Sequence, residues 1–216
     1  MSNTAPPPAT DVLPRKRRQL PRGCGLWIWM MVFFGLWGAF SFLYLGHESK
    51  KLKQRVSQIM ARAIADAVEE FQSDYQRLPI PSGPRIPGGD CDTDTSPTHG
   101  FTAILTGKEG EAADRQNERK VDYFEGIKPA KKRQGTAWNQ SDGLITPAAG
   151  GTYGVVDYFG NPYRIRLDTN GDQQLANPNP DQAAQGTADL AKRVIVWSAG
   201  EDGKLDTWDD NLMSWD

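Results

Sequence analysis

Residues 23–46 (GCGLWIWMMVFFGLWGAFSFLYLG) run for twenty-four positions without one Lys, Arg, Asp or Glu. As a helix such a run rises about 36 Å, against a hydrocarbon core of about 30 Å, so the sequence predicts a transmembrane helix. Trp27, Trp29 and Tyr44 fall near its ends, where amphipathic rings favour the water interface. A removable signal peptide would carry a shorter apolar region and a small-residue cleavage site, and neither is found. The expectation is an uncleaved signal anchor. Cys24 precedes the apolar run rather than following it, which removes a lipoprotein reading.

Charge is unevenly spread behind the net value of -2. Residues 1–22 hold five basic and one acidic side chain, residues 47–139 fifteen and fourteen, and residues 140–216 five and twelve. A basic tail beside a membrane suits anionic lipid headgroups. An acidic C-terminal half suits cations and argues against nucleic acid. The positive-inside rule and the absence of any core-forming sequence in the tail together place the C-terminal domain outside the cytoplasm.

A second helical signal follows. Leu52, Val56, Ile59, Ala63, Ala67 and Phe71, with Met60, Ile64, Val68 and Tyr75 alongside, recur at steps of three and four, and polar residues fill the other face. No Pro or Gly lies between His47 and Arg77, so the helix is expected to run to about Tyr75, with Pro79 as its stop. Residues 79–97 read as a Pro/Gly/Asp-rich loop. Thr98 reads as the cap of a brief helix over residues 101–105, and residues 108–150 as a mostly polar insertion whose basic cluster, Lys128, Lys131, Lys132 and Arg133, is solvated surface. Strand signals fall at 153–156, 163–168 and 193–198, suiting a small antiparallel sheet with one face on the helix. The expected fold class is α+β: a long N-terminal helix, transmembrane half plus amphipathic half, packed on that sheet. The expected segments are a basic Pro-rich cytoplasmic tail (1–22), the span (23–46), the amphipathic helix (47–77) and an extracytoplasmic head (78–216).

Two acidic stretches bear on chemistry. Asp202, Asp206, Asp209 and Asp210 crowd a Gly-containing loop near the C-terminus, interrupted only by Lys204. It reads equally as a cage for a hard cation, which takes about 6–8 oxygens, or as a solvated acidic terminus. Asp168, Asn170 and Asp172 begin like an EF-hand loop, but Gln173 stands where that loop turns on Gly. A hairpin turn with Asn170-Gly171 at its tip fits better. His47 and His99 belong to no nucleophile or metal motif, no zinc spacing exists, and neither a P-loop nor G-x-S-x-G is found, so the sequence predicts no enzyme and no small-molecule substrate.

Several segments, in order, resemble the major pseudopilin of bacterial type II secretion systems and its pilin-like relatives. They are the helix end with Leu78-Pro79, Ile104-Leu105-Thr106-Gly107, Asp157-Tyr158-Phe159-Gly160-Asn161-Pro162-Tyr163, and Ser198-Ala199-Gly200-Glu201-Asp202-Gly203 with Thr207-Trp208-Asp209-Asp210. The resemblance covers roughly residues 47–216. It implies a pilin-like lollipop in the bacterial inner membrane, its head in the periplasm, packing laterally with its own copies or related subunits. It also implies a structural Ca²⁺ held by the side chains of Asp202, Asp209 and Asp210 and by backbone carbonyls near Ser198, Glu201 and Thr207. The chain departs from prepilins at the start: Gly25-Leu26 is followed by Met30 where a glutamate is usual. Two expectations follow, a pseudopilin-like assembly subunit or a non-polymerising, membrane-anchored calcium module that recruits a partner.

Overall fold

The structure, a computed structural model, describes residues 24–81, 89–110, 115–146 and 153–215, without the side chains of 24–28 and 38–49. The predicted tail over residues 1–22 lies outside the described residues. The chain divides into two compact units, Met1–Glu48 and Ser49–Asp216.

Helix α1 (Cys24–Tyr75) is followed by β1 (Cys91–Asp94), α2 (Phe101–Leu105), β2 (Lys131–Lys132), β3 (Gln140–Ser141), β4 (Gly143–Ile145) and β5 (Gly154–Val156). Then come β6 (Arg164–Leu167), β7 (Leu175–Ala176), α3 (Pro180–Ala184), β8 (Asp189–Leu190), β9 (Val194–Ser198) and β10 (Leu212–Met213). The α+β class stands, but the expected fold is corrected at its N-terminal half. Among the described residues, no helix is long and apolar enough to cross a membrane.

In the second unit, α1 buries Ser57, Ala61, Ile64, Val68 and Phe71, a stripe at alternating steps of four and three. This is not the whole face that periodicity chose. Leu52 and Ile59 are each 64% exposed, whereas Ala67 and Phe71 of the same expected face are buried. The helix stops at Gln76, whose φ of 54° is left-handed. Gln76 N still donates to the Gln72 carbonyl (2.8 Å), and Pro79 comes after the chain has already turned.

Against that stripe lies a four-stranded antiparallel sheet in the order β1-β6-β9-β10. Its middle strand explains the unbroken apolar run of residues 194–197. Val194 and Val196 join the core under α1 with Ile165, Leu167 and Phe101. Ile195 and Trp197 enter a second cluster on the opposite face, with Leu175, Leu190, Met213 and the partly buried Trp208 and Trp215. Both faces of the sheet are therefore covered, where the sequence predicted one.

Strand β1 was expected to be loop. Its sequence, Cys-Asp-Thr-Asp, carries no apolar alternation, and what holds it is charge opposite charge. Asp92 faces Arg166 and Asp94 faces Arg164 across the ladder, with contacts of 2.6 and 3.1 Å. β5 likewise leaves its expected place, pairing with β4 in a separate two-stranded ribbon. Gly100, at φ 73°, rather than Thr98, precedes α2. The turn after β6 closes no hairpin, since β6 lies between β1 and β9. Asp168 instead folds the turn on itself by accepting from the backbone N–H groups of Gly171 (2.7 Å) and Gln173 (2.9 Å).

The described residues of the 108–150 stretch are not a surface excursion. Phe124, 2% exposed, belongs to the main core. Asn117 is fully buried and its side chain donates to the carbonyls of Ile104 (2.8 Å) and Val121 (2.7 Å). It also accepts from the Tyr75 hydroxyl (2.8 Å). A polar side chain satisfied on three sides ties this stretch to α1 and α2 at once.

Candidate cation site in the C-terminal loop

The acidic residues lie in the loop between β9 and β10, whose mouth is closed where Ser198 pairs with Leu212. Gly200, at φ 64°, makes its first turn, and a Cβ there would run into the Asp210 carbonyl, so this position needs Gly. The Asp202 N–H donates to Asp210 Oδ2 (2.9 Å). Asp202 Oδ1 accepts from the Lys204 N–H (2.8 Å), and its Oδ2 accepts from the Thr207 hydroxyl (2.6 Å). The Thr207 hydroxyl, then the Lys204 amide, hold the Asp202 carboxyl below the usual carboxylate range.

The expected ligands are thus distributed as follows. Asp202, Thr207 and Asp210 are drawn together by hydrogen bonds. The Glu201 carboxylate pairs with Lys50 on α1 (3.2 Å), both exposed. Asp209 is exposed and, with Asp210, lines a cleft of about 360 Å³ against Lys51 and Arg55. Among the described residues, no group of three or more acidic, His or Cys side chains is gathered for a metal. Thr207 acts through its hydroxyl, and the Ser198 hydroxyl donates to Asp157 and accepts from the Gly200 N–H (3.3 Å).

Asn211 was not singled out by the sequence. It is 7% exposed, and its Nδ2 donates to the Leu205 carbonyl (3.2 Å), so its side chain reaches into the loop. Its Oδ1 is buried and has no hydrogen-bond partner. An orphaned buried acceptor costs about 1–3 kcal/mol, and here its residue follows Asp209 and Asp210 and lines the same cleft. The donor set is all hard oxygen, which fits a Ca²⁺-type ion by chemistry. No signal in the sequence marks Asn211, because an amide after two acids reads as one more turn residue.

The loop is anchored from outside by a second motif. Asp157, 1% exposed, accepts from the backbone of Phe159 and Asn161 (each 2.8 Å) on Oδ1 and from the Ser198 hydroxyl (2.5 Å) on Oδ2. Asn161 Nδ2 donates to the Gly200 carbonyl (2.7 Å). Tyr163, fully buried, donates its hydroxyl to the Ser57 carbonyl on α1 (3.0 Å). Residues 157–163 and 198–203, more than thirty positions apart, therefore form one connected polar network between α1 and the loop.

Comparison with protein-family models, with curated proteins and with solved structures finds no match.

Proposed function

We propose that this chain is a structural, non-enzymatic, pseudopilin-like subunit of a type II secretion or related pilus-type assembly, with Ca²⁺ stabilising its C-terminal loop. The observation that carries the reading is the contact between the two motifs of the resemblance, through Asp157 with Ser198 and Asn161 with Gly200. Motifs that served unrelated turns would have no reason to meet. A bacterial inner-membrane location with the head outside the cytoplasm rests on the charge-free sequence of residues 23–46. Lateral packing with copies or related subunits rests on apolar side chains without cover. Trp29, Met31, Phe33, Phe34, Leu36 and Trp37 are 59–77% exposed, and Leu52 and Ile59 stand out from the second unit.

Ile59→Asp tests the packing. Being exposed, it is expected to change stability by no more than about 0.5 kcal/mol, while reducing crosslinks between chains in native membranes. Unaltered crosslinking would count against assembly through this face. Ca²⁺ would be held by Asp202, Asp209, Asp210 and the Asn211 amide oxygen, with carbonyls near Ser198, Glu201 and Thr207. Binding to the folded state alone stabilises it by mass action, by about 2.7 kcal/mol at a hundredfold excess over Kd, and so raises the melting temperature. The full-length chain is expected to melt higher in millimolar Ca²⁺, and Asp209→Ala with Asp210→Ala to abolish the shift. A melting point indifferent to Ca²⁺ in the native chain defeats the calcium reading.

Met30, in place of the usual acid, favours a second reading: a membrane-associated calcium module that recruits a partner and does not polymerise. Mass spectrometry of the mature N-terminus separates the two. Leu26 as the first residue supports assembly, and an intact basic tail supports the module.

A further inference from the structure

A cleft of about 380 Å³ opens between the β1 edge of the four-stranded sheet and the C-terminal loop. Its apolar side is Trp197 of β9 with Trp208 and Leu205 of the loop, the last 36% exposed. Its polar side is Arg164 and His99 around Asp94. We propose that this cleft binds a neutral saccharide of one or two rings.

The polar side is held in place before any ligand arrives. Asp94 is 4% exposed and accepts from the Ser96 N–H (2.9 Å) and His99 Nδ1 (2.6 Å) on Oδ1, and from Arg164 Nη1 (3.1 Å) on Oδ2. The buried carboxylate therefore fixes both side chains, whose own surfaces remain 54% (His99) and 44% (Arg164) exposed. A carboxylate only accepts, so in that contact Nδ1 carries the proton, and Nε2 is left as the ring's second hydrogen-bonding atom. The guanidinium keeps further N–H donors after its bond to Asp94. Two fixed hydrogen-bonding groups side by side match a pair of neighbouring hydroxyls, each of which both gives and takes a hydrogen bond.

Charge selects against ions. Arg164 is already neutralised by Asp94, and Arg166 by Asp92, so neither an anion nor a cation finds an unbalanced partner on the sheet. Indole surface beside fixed polar groups, Trp197 lying across the ladder from Arg164, suits a ring with C–H groups on one face and hydroxyls at its rim. The volume fits within the usual range of small-molecule sites, about 300–1,000 Å³. None of these residues belongs to the expected ligand set, and the inference does not rest on the assembly or calcium readings.

The test is saturation-transfer NMR on the full-length chain in a detergent without sugar headgroups, with cellobiose, maltose and N,N′-diacetylchitobiose as probes and an uncharged tripeptide as comparison. It is run with Ca²⁺ and again with chelator, and binding in either condition supports the proposal. At least one disaccharide is expected to receive saturation at the C–H protons of one ring face. Trp208→Leu is expected to weaken it about tenfold or more by removing the aromatic surface. Arg164→Lys, which keeps a charge opposite Asp94 but lacks the planar fork, is expected to weaken it about threefold or more. If Trp208→Leu fails to fold, Arg164→Lys decides alone. Transfer to none of the three sugars, transfer that survives the folded variants unchanged, or transfer to the tripeptide in their place overturns it.

Discussion

Asp157→Ala is expected to cost about 3 kcal/mol, because hydrogen bonds to a charged group are worth about 1.5–3 kcal/mol each and their loss strands buried donors. The donors left behind are the amides of Phe159 and Asn161 and the Ser198 hydroxyl. In a chain of this size that is a fall in Tm of roughly 6–12 °C. Asp157→Asn keeps one acceptor for the two amides and should cost about 1 kcal/mol. The pair also carries a pH signature. Burial pushes the Asp157 carboxyl above the ordinary carboxylate value, and the Ser198 hydroxyl and the Asn161 and Phe159 amides pull it only part of the way back. A carboxyl whose folded pKa exceeds its unfolded one stabilises most below the unfolded value and loses that contribution as pH rises through the folded one. The stability of the native chain relative to Asp157→Asn should therefore decline as pH rises from the acid side through the carboxylate range. Denaturant midpoints of the two proteins across that range measure it, and a flat difference would show that burial does not penalise the charged form.

Phe124→Ala is expected to cost about 3–5 kcal/mol, as for other large aromatic truncations in a packed core. Phe124 is 2% exposed and packs in the same cluster as Phe71, Phe101 and Ile165. Unfolding followed at the Trp197–Trp215 pair, whose rings lie 6.3 Å apart on the far face of the sheet, should shift together with the global transition. Were residues 108–150 an appendage, the same substitution would leave that signal within about 0.5 kcal/mol of the native chain. The two outcomes are far enough apart for one denaturant titration to decide.

These two residues mark the limit of what patterns along the chain reveal. Asp157 was visible as part of a motif, but its partner Ser198 was visible only as part of another, and nothing in either predicts the bond between them. Phe124 sits with Val121, Tyr123 and Ile127 in an apolar patch of only seven residues, broken by Gly126 and flanked by charged side chains, too short for any period to point it inward. The C-terminal loop was legible as acidic and Gly-rich. That Asp202 and Asp210 meet, that Glu201 turns instead to Lys50 and that Asn211 holds a buried oxygen without a partner depended on where the loop folds back.

Sequence by itself determined the local elements with strong periods: the helical stretch through Phe71 ending at Tyr75, the strands at β6 and β9, and the acidity of the last loop. Each is set within a few residues by side-chain spacing and backbone preference. Tertiary structure alone decided which residues of the expected helical face are buried, that the sheet is covered on both faces, and that a charged edge strand exists. A stripe is buried only if another element reaches it, and β1 is a strand only because Arg164 and Arg166 are brought opposite its two aspartates. Such long-range pairings repay the entropy of ordering the chain only after the core has assembled, which is why no local pattern announces them.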